Sequence, residues 1–344
     1  MHERIKRSVL KVNRRTRLFL LLVILLAPLS LYSKVQHPPP LELVQSIPLP
    51  GVKGRIDHMA VDLEGKRLFV AALGNNTLEV IDLSQGKRIH TIGGFHEPQG
   101  VLYLPELRTL YVTNGGDGTC MILDGGDLHR KATLRFSGDA DNMRYDPATK
   151  TVYVGYGEGA LGVIDARSLG HRADIQLDGH PESFVLAQSG AKIYVNVPAA
   201  GHVAVIDRES RSVQALWPLK GAKGNFPMAL DDKENRLFIG CRQPPKILVL
   251  DALSGQTTAT LDTEYDLDDI YYDAVSGRVY ASGGGGVLSV FQKDKAGHYA
   301  ALARIPTPQG ARTSLFIKEL GRLYLAVPAS RGRQAEIRIY QATS

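Results

Sequence analysis

From residue 41 onward the chain alternates apolar and polar positions in short runs, and no stretch carries an apolar stripe at the 3.6-residue period of a helix. Seven runs are near-copies of one another: "LFVAA" (68–72), "LYVTN" (110–114), "VYVGY" (152–156), "IYVNV" (193–197), "LFIGC" (237–241), "VYASG" (279–283) and "LYLAV" (323–327). Each has an apolar residue, an aromatic and then small or β-branched positions, the composition of a buried strand. About eleven residues on, a second strand ends alike: "EVID" (79–82), "MILD" (121–124), "GVID" (162–165), "AVID" (204–207) and "LVLD" (248–251). The last two copies depart from this ending, with "SVFQ" (289–292) and "IRIYQ" (337–341). Two further strands separate each such ending from the next aromatic, as "GKRIHTI" (86–92) and "GVLYL" (100–104) show in the first unit.

The anchoring aromatics, Phe69, Tyr111, Tyr153, Tyr194, Phe238, Tyr280 and Tyr324, are spaced by 42, 42, 41, 44, 42 and 44 residues. A period in the low forties with four strands per unit predicts an all-β, seven-bladed β-propeller of four-stranded antiparallel blades. The chain stops after the third strand of the seventh unit, and "LELVQSIPL" (41–49) is a spare strand ahead of the first. That strand is expected to complete the last blade, closing the ring and removing an exposed edge. With "YVTN" itself at 111–114 and the "VID" strand in most units, residues 42–341 resemble the YVTN-repeat β-propeller family. The resemblance implies an exported propeller of the surface or periplasmic type that holds a partner. It speaks to fold, since the repeat residues are scaffold, and function must be argued from a site.

The residues before the repeats have a different character. "MHERIKRSVLKVNRRTR" is basic and runs into the apolar "LFLLLVILLAPLSLY", the layout of a secretory signal. Residues 1–33 read as a signal peptide or signal anchor, and 34–41, with "HPPP", as a stiff proline-rich linker. Export to the periplasm or beyond follows, with 18–32 as an inner-membrane anchor if the segment is retained; membrane contact is expected only through this segment. Residues 1–33 also carry the entire formal charge of +6, so residues 34–344 are formally neutral. A neutral domain lacks the basic field that nucleic-acid binding uses. Cys120 and Cys241 lie far apart in apolar strands and read as buried free thiols.

In a ring of near-identical blades, function belongs where blades share register and differ in chemistry. Twelve residues before each aromatic stand Asp57, Gln99, Asp141, Glu182, Phe226, Asp268 and Arg312. The next position holds His58, Gly100, Asn142, Ser183, Pro227, Asp269 and Thr313, and two residues before the first set come Arg55, Glu97, Asp139, His180, Gly224, Asp266 and Gly310. These positions enter the innermost strand of each blade and are expected to form one ring at the mouth of the central channel. Asp and Asn are common turn formers, but carboxylates, two histidines and arginines at one depth go beyond what turns require.

Three chemistries suit such a collar. Binding of a small-molecule, carbohydrate or peptide ligand would use Arg55, Asp57, Gln99, Asn142, Asn225, Asp269 and Arg312 together with the carboxylates. A divalent metal ion would draw on Asp57, His58, Asp141, His180, Glu182 and Asp268, although no local ligand spacing such as H-E-x-x-H occurs. Acid/base lysis or hydrolysis of a carbohydrate or lactone would use His58, Asp141, His180, Glu182 and Asp268, carboxyls whose environments push their pKa values apart. Seven-bladed lyases and lactonases exist in other families, an analogy of architecture alone. The remaining histidines, His90, His129, His171, His202 and His298, read as solvent-facing.

Overall fold

The structure, a computed structural model, describes residues 38–188 and 190–343. The expected signal or anchor and most of the linker lie outside the described residues. Among the described residues no helix is long and apolar enough to cross a membrane.

Seven four-stranded antiparallel sheets make up the fold, a seven-bladed β-propeller. The first runs Met59–Asp62, Arg67–Ala72, Thr77–Asp82 and Lys87–Ile92 from inside to outside, and the next five repeat that order. The seventh consists of Ser314–Ile317, Arg322–Val327 and Ala335–Ala342, with Leu41–Leu49 as its outermost strand. Leu41, which its proline-rich neighbours had assigned to the linker, is the first residue of that strand and pairs with Ala342. Among the described residues helix is confined to two short 3-10 turns, Leu73–Asn75 and Pro105–Leu107.

The aromatic period is explained by packing. All seven anchors are 0–4% exposed. The core divides into seven apolar clusters, each shared by two neighbouring blades, and the last joins the seventh blade to the first through Ile47, Leu49, Met59 and Tyr324. No blade can bury both faces alone, so the ring is the smallest unit that folds.

Ile47 is fully buried and pairs with Ile337, at the point where the two ends of the chain meet. Ile47→Ala is expected to destabilise the domain by about 2–5 kcal/mol in urea denaturation. A loss below about 1 kcal/mol would show that the closing strand contributes little.

The "VID" aspartates are turn formers. Asp82 accepts from the Ser84 and Gln85 amides, and Asp165 from Arg167 and Ser168. The Ser84 hydroxyl and the Ser168 amide lead the interactions that lower these two carboxyls to about 2. Where the repeats lose the aspartate, a glutamine replaces it. Gln292 accepts from Arg278 Nε and Gln341 from Arg322 Nε, each at 3.0 Å, and each amide returns a bond to the preceding turn.

Cys120 and Cys241 are buried and unpaired, and burial pushes both thiols up to about 12. His202 departs from expectation. It is 5% exposed rather than solvent-facing, because it opens a third strand on the crowded side of the blade, with Nε2 3.1 Å from Asp178.

Candidate functional site

Each blade begins with the same corner. In blade three the Asp141 amide donates to Gly155 O while Gly155 donates to Asn142 O, both at 2.9 Å. Asp57 with Ala71, and Glu182 with Asn196, form the same two-bond clasp in blades one and four. Spacing from the aromatic therefore maps onto backbone position. At the position fourteen before the aromatic, Glu97, Asp139, Gly224, Asp266 and Gly310 all have positive φ, between 32° and 81°. Gly and Asp suit that left-handed turn, so these two carboxylates serve the backbone as well as the collar.

In every second blade a polar side chain two residues beyond the aromatic ties the blade to the next one. Thr113 donates to Asp141 O (2.6 Å), Asn196 to Phe226 O (2.9 Å) and Ser282 to Arg312 O (2.5 Å). Each acceptor is the collar residue of the next blade, so its position depends on its neighbour.

Asp57, Asp141, Glu182 and Asp268 converge. A pocket on the axis is lined by Asp141, Glu182 and Asp268 together with Arg55, His58, Asn142, Phe226 and Asp269. Beneath it lies a cavity of about 310 Å³ to which every blade contributes, through Met59, Val101, Met143, Val185, Met228, Ile270 and Leu315 among others. His58, Asn142, Ser183 and Asp269 line both spaces. The site is a polar collar above a chamber of mixed lining, in which Arg144, Tyr271 and Tyr272 stand among the apolar side chains.

The charges of the collar fall into three groups. In the first, fully buried Asp57 lies 2.6 Å from Arg55 Nη2 and 2.8 Å from His58 Nδ1, and the same His58 nitrogen is 3.9 Å from Asp141. These are close ion contacts rather than aligned hydrogen bonds. In the second, Arg242 reaches Asp268 (2.6 Å) and Arg312 reaches Asp266 (2.8 Å), while Thr313 donates to Asp268 and the Arg242 guanidinium lies 3.6 Å above Phe226. In the third, Gln99 donates to Asp139 (2.8 Å), and His180 contacts Gly157 O (2.6 Å) with Asp139 3.8 Å away. The Glu182 carboxyl has no hydrogen-bond or ion-pair partner among the described residues.

Burial opposes charge on His58, yet Asp57, Asp141 and Asp269 outweigh it and raise the imidazole to about 10. Burial likewise opposes ionisation of Asp57, but His58, Arg55 and Arg312 hold it below the usual carboxylate range. Asp141 and Asp269 go the other way. Burial first, then neighbouring carboxylates (Asp57 and Glu182 for Asp141; Asp268 and Asp57 for Asp269), raises each to about 7 against the pull of His58. Glu182 rises as well, through burial and Asp268. The collar thus has more carboxyls than cations to neutralise them, and protons make up the difference.

Among the described residues no three His, Cys, Asp or Glu side chains stand together as a metal-holding set. Asn225 lies away from the shared pocket. It is fully buried between blades four and five, donating to Asn196 Oδ1 and His202 O.

Arg242 was not among the sequence candidates, although its register carries a signal. Four residues after each aromatic stand Leu73, Gly115, Gly157, Pro198, Arg242, Gly284 and Pro328, and the lone arginine is the exception. Arg144, a candidate counter-charge to the collar carboxylates by its place in the sequence, enters the chamber, donating to Met143 O (2.7 Å) and lying over Phe184.

No protein-family model matches the chain, and no curated protein sequence matches it. The structure is similar to a chain of hydrazine synthase from Kuenenia stuttgartiensis, with TM-score 0.73 and 16% identity over 84% of this chain and 98% of that one. It is also similar to a chain in the crystal structure of a mitotic checkpoint complex, with TM-score 0.75 and 13% identity, all of both chains being covered. At these identities the likeness is one of fold.

Proposed function

We propose that the protein is an exported propeller of the YVTN-repeat kind that binds a small molecule on its axis, head in the collar and body in the chamber. The observation that carries this reading is the chamber itself, about 310 Å³ and lined from all seven blades, under a buried collar in which Asp141 Oδ1 has no hydrogen-bond partner. A scaffold with no ligand gains nothing from leaving buried acceptors unsatisfied, because each costs about 1–3 kcal/mol. The basic-then-apolar leader supports export.

A diverse fragment set, screened by thermal shift on the full chain and on a Val185→Trp variant that fills the chamber, tests the reading. Fragments that stabilise the native protein are expected to lose their effect in the filled variant. Hits that persist there bind elsewhere, and either that result or the absence of hits overturns the proposal.

A second reading rests on one observation: Asp141 and Asp269, both held near neutrality, flank the His58 cation. Such carboxyls fit a proton donor and acceptor for a lyase or hydrolase acting on a lactone or carbohydrate. Turnover of such substrates that is abolished by Asp141→Asn, with a pH limb near 7, distinguishes it from binding alone.

A further inference from the structure

Resting on the reading of the axis as a ligand site, the geometry points to the class of ligand: an organic ammonium whose head lies between Asp141 and Glu182 and whose apolar body fills the chamber. Asp141 is only 6% exposed, and its Oδ1 has no hydrogen-bond partner. The nearest cation, His58 Nδ1, is 3.9 Å away, too far for a hydrogen bond. Glu182, unpartnered too, lines the same pocket. The donors, by contrast, are engaged: Arg55 by Asp57, Arg242 by Asp268 and Arg312 by Asp266. Arg144 is occupied by Met143 O, Asn142 and Ser183. Free carboxyl acceptors beside committed guanidinium groups, with His58 held at Asp57 through Nδ1, favour a donor-rich cation over an anion.

Two further features favour an ammonium over a bare metal ion. Among the described residues no three ligating groups converge to replace a divalent ion's hydration shell, whereas an ammonium has three donors and is content with two carboxyls and a neighbouring amide or hydroxyl. Asn142 and Ser183 supply the latter at the boundary of the two spaces. Below them Met59, Val101, Met143, Val185 and Met228 give part of the wall an apolar surface against which a hydrocarbon body can pack.

The ligand's charge must compete with a proton on Asp141. The groups facing that carboxyl are Asp57 and His58 from blade one, Glu182 and His180 from blade four, and, across His58, Asp269 from blade six. An arriving ammonium favours the ionised carboxylate, so binding near pH 7 is accompanied by proton release.

Calorimetric titration of the full chain with 2-phenylethylamine and with 3-phenylpropanoate, in two pH 7 buffers of different ionisation heat, provides the test. The amine is expected to bind with release of a fraction of a proton, and the carboxylate not to bind. Asp141→Asn and, separately, the more exposed Glu182→Gln are expected to weaken the amine at least tenfold while the melting temperature does not fall. If 3-phenylpropanoate binds as well as the amine, the ammonium assignment is wrong and the axial site stands. Stoichiometric binding of Mn²⁺, Ca²⁺ or Zn²⁺ that either variant abolishes would replace the ammonium by a metal. Failure of the amine to bind, or amine binding indifferent to both variants, also overturns the inference, and the fragment screen with the filled variant decides the axial site independently.

Discussion

His58→Ala is expected to destabilise the domain by about 3–5 kcal/mol at pH 7, the cost of leaving a buried charge without its partner. Asp57 is 0% exposed, and without the imidazolium only Arg55 remains in contact with it. Asp141 and Asp269 lose their nearest cation in the same step. The pH dependence identifies the cause. His58 has a folded pKa raised from 6.5 to about 10, so its contribution is complete below 6.5 and disappears as pH rises through 10. Asp57 is depressed, so its contribution is present above the usual carboxylate value and is lost as pH falls through the folded one. The deficit of the variant should therefore be greatest between about pH 5 and 7 and narrow on both sides. Urea denaturation across that range measures it. A deficit of constant size from pH 3 to 10 would mean that lost packing, rather than the ion pair, accounts for the effect.

Asp141→Asn should act in the opposite direction, stabilising the protein in alkali. The folded state holds the Asp141 proton up to about pH 7 where the unfolded chain releases it near 3.8. Wild-type stability therefore declines as pH rises from about 4 to 7, and that loss corresponds to about 4 kcal/mol when complete. Asparagine keeps the shape of the side chain and removes the charge. Little difference from wild type is expected at pH 4, and a gain of up to about 4 kcal/mol at pH 8. His58 and Asp57 are coupled to this carboxyl, so the double variant with Asp269→Asn should gain less than the two single gains together. Equal free energies of unfolding for wild type and Asp141→Asn at pH 8 would show that the carboxylate is not held against its burial. The trade of stability for an ionisable group on the axis is what a ligand site requires.

The repeat made much of this molecule legible. Aromatics some forty-two residues apart mark the strand that every blade packs against its neighbours, and a period of that length admits few architectures. The spare strand at 41–49 announced the closure because an unpaired edge at 335–342 would otherwise remain. Counting back from the aromatics located the corners, since a two-bond backbone clasp recurs at that distance. Backbone equivalence is local and periodic, and a linear sequence records it directly.

Pairing on the axis is neither local nor periodic. Arg242 selects Asp268, 26 residues on, and Arg312 selects Asp266, 46 residues back, while His58 approaches Asp141 two blades away. Asn225, expected at the site, is drawn instead between two blades by Asn196, and His202, expected in water, is buried. The sequence alone determined the strands, the blade count and the closure. Only the tertiary structure decided which charges neutralise one another and which two carboxyls are left without a hydrogen bond, because electrostatic choice depends on distance and burial across blades, and neither is written in the spacing of residues along the chain.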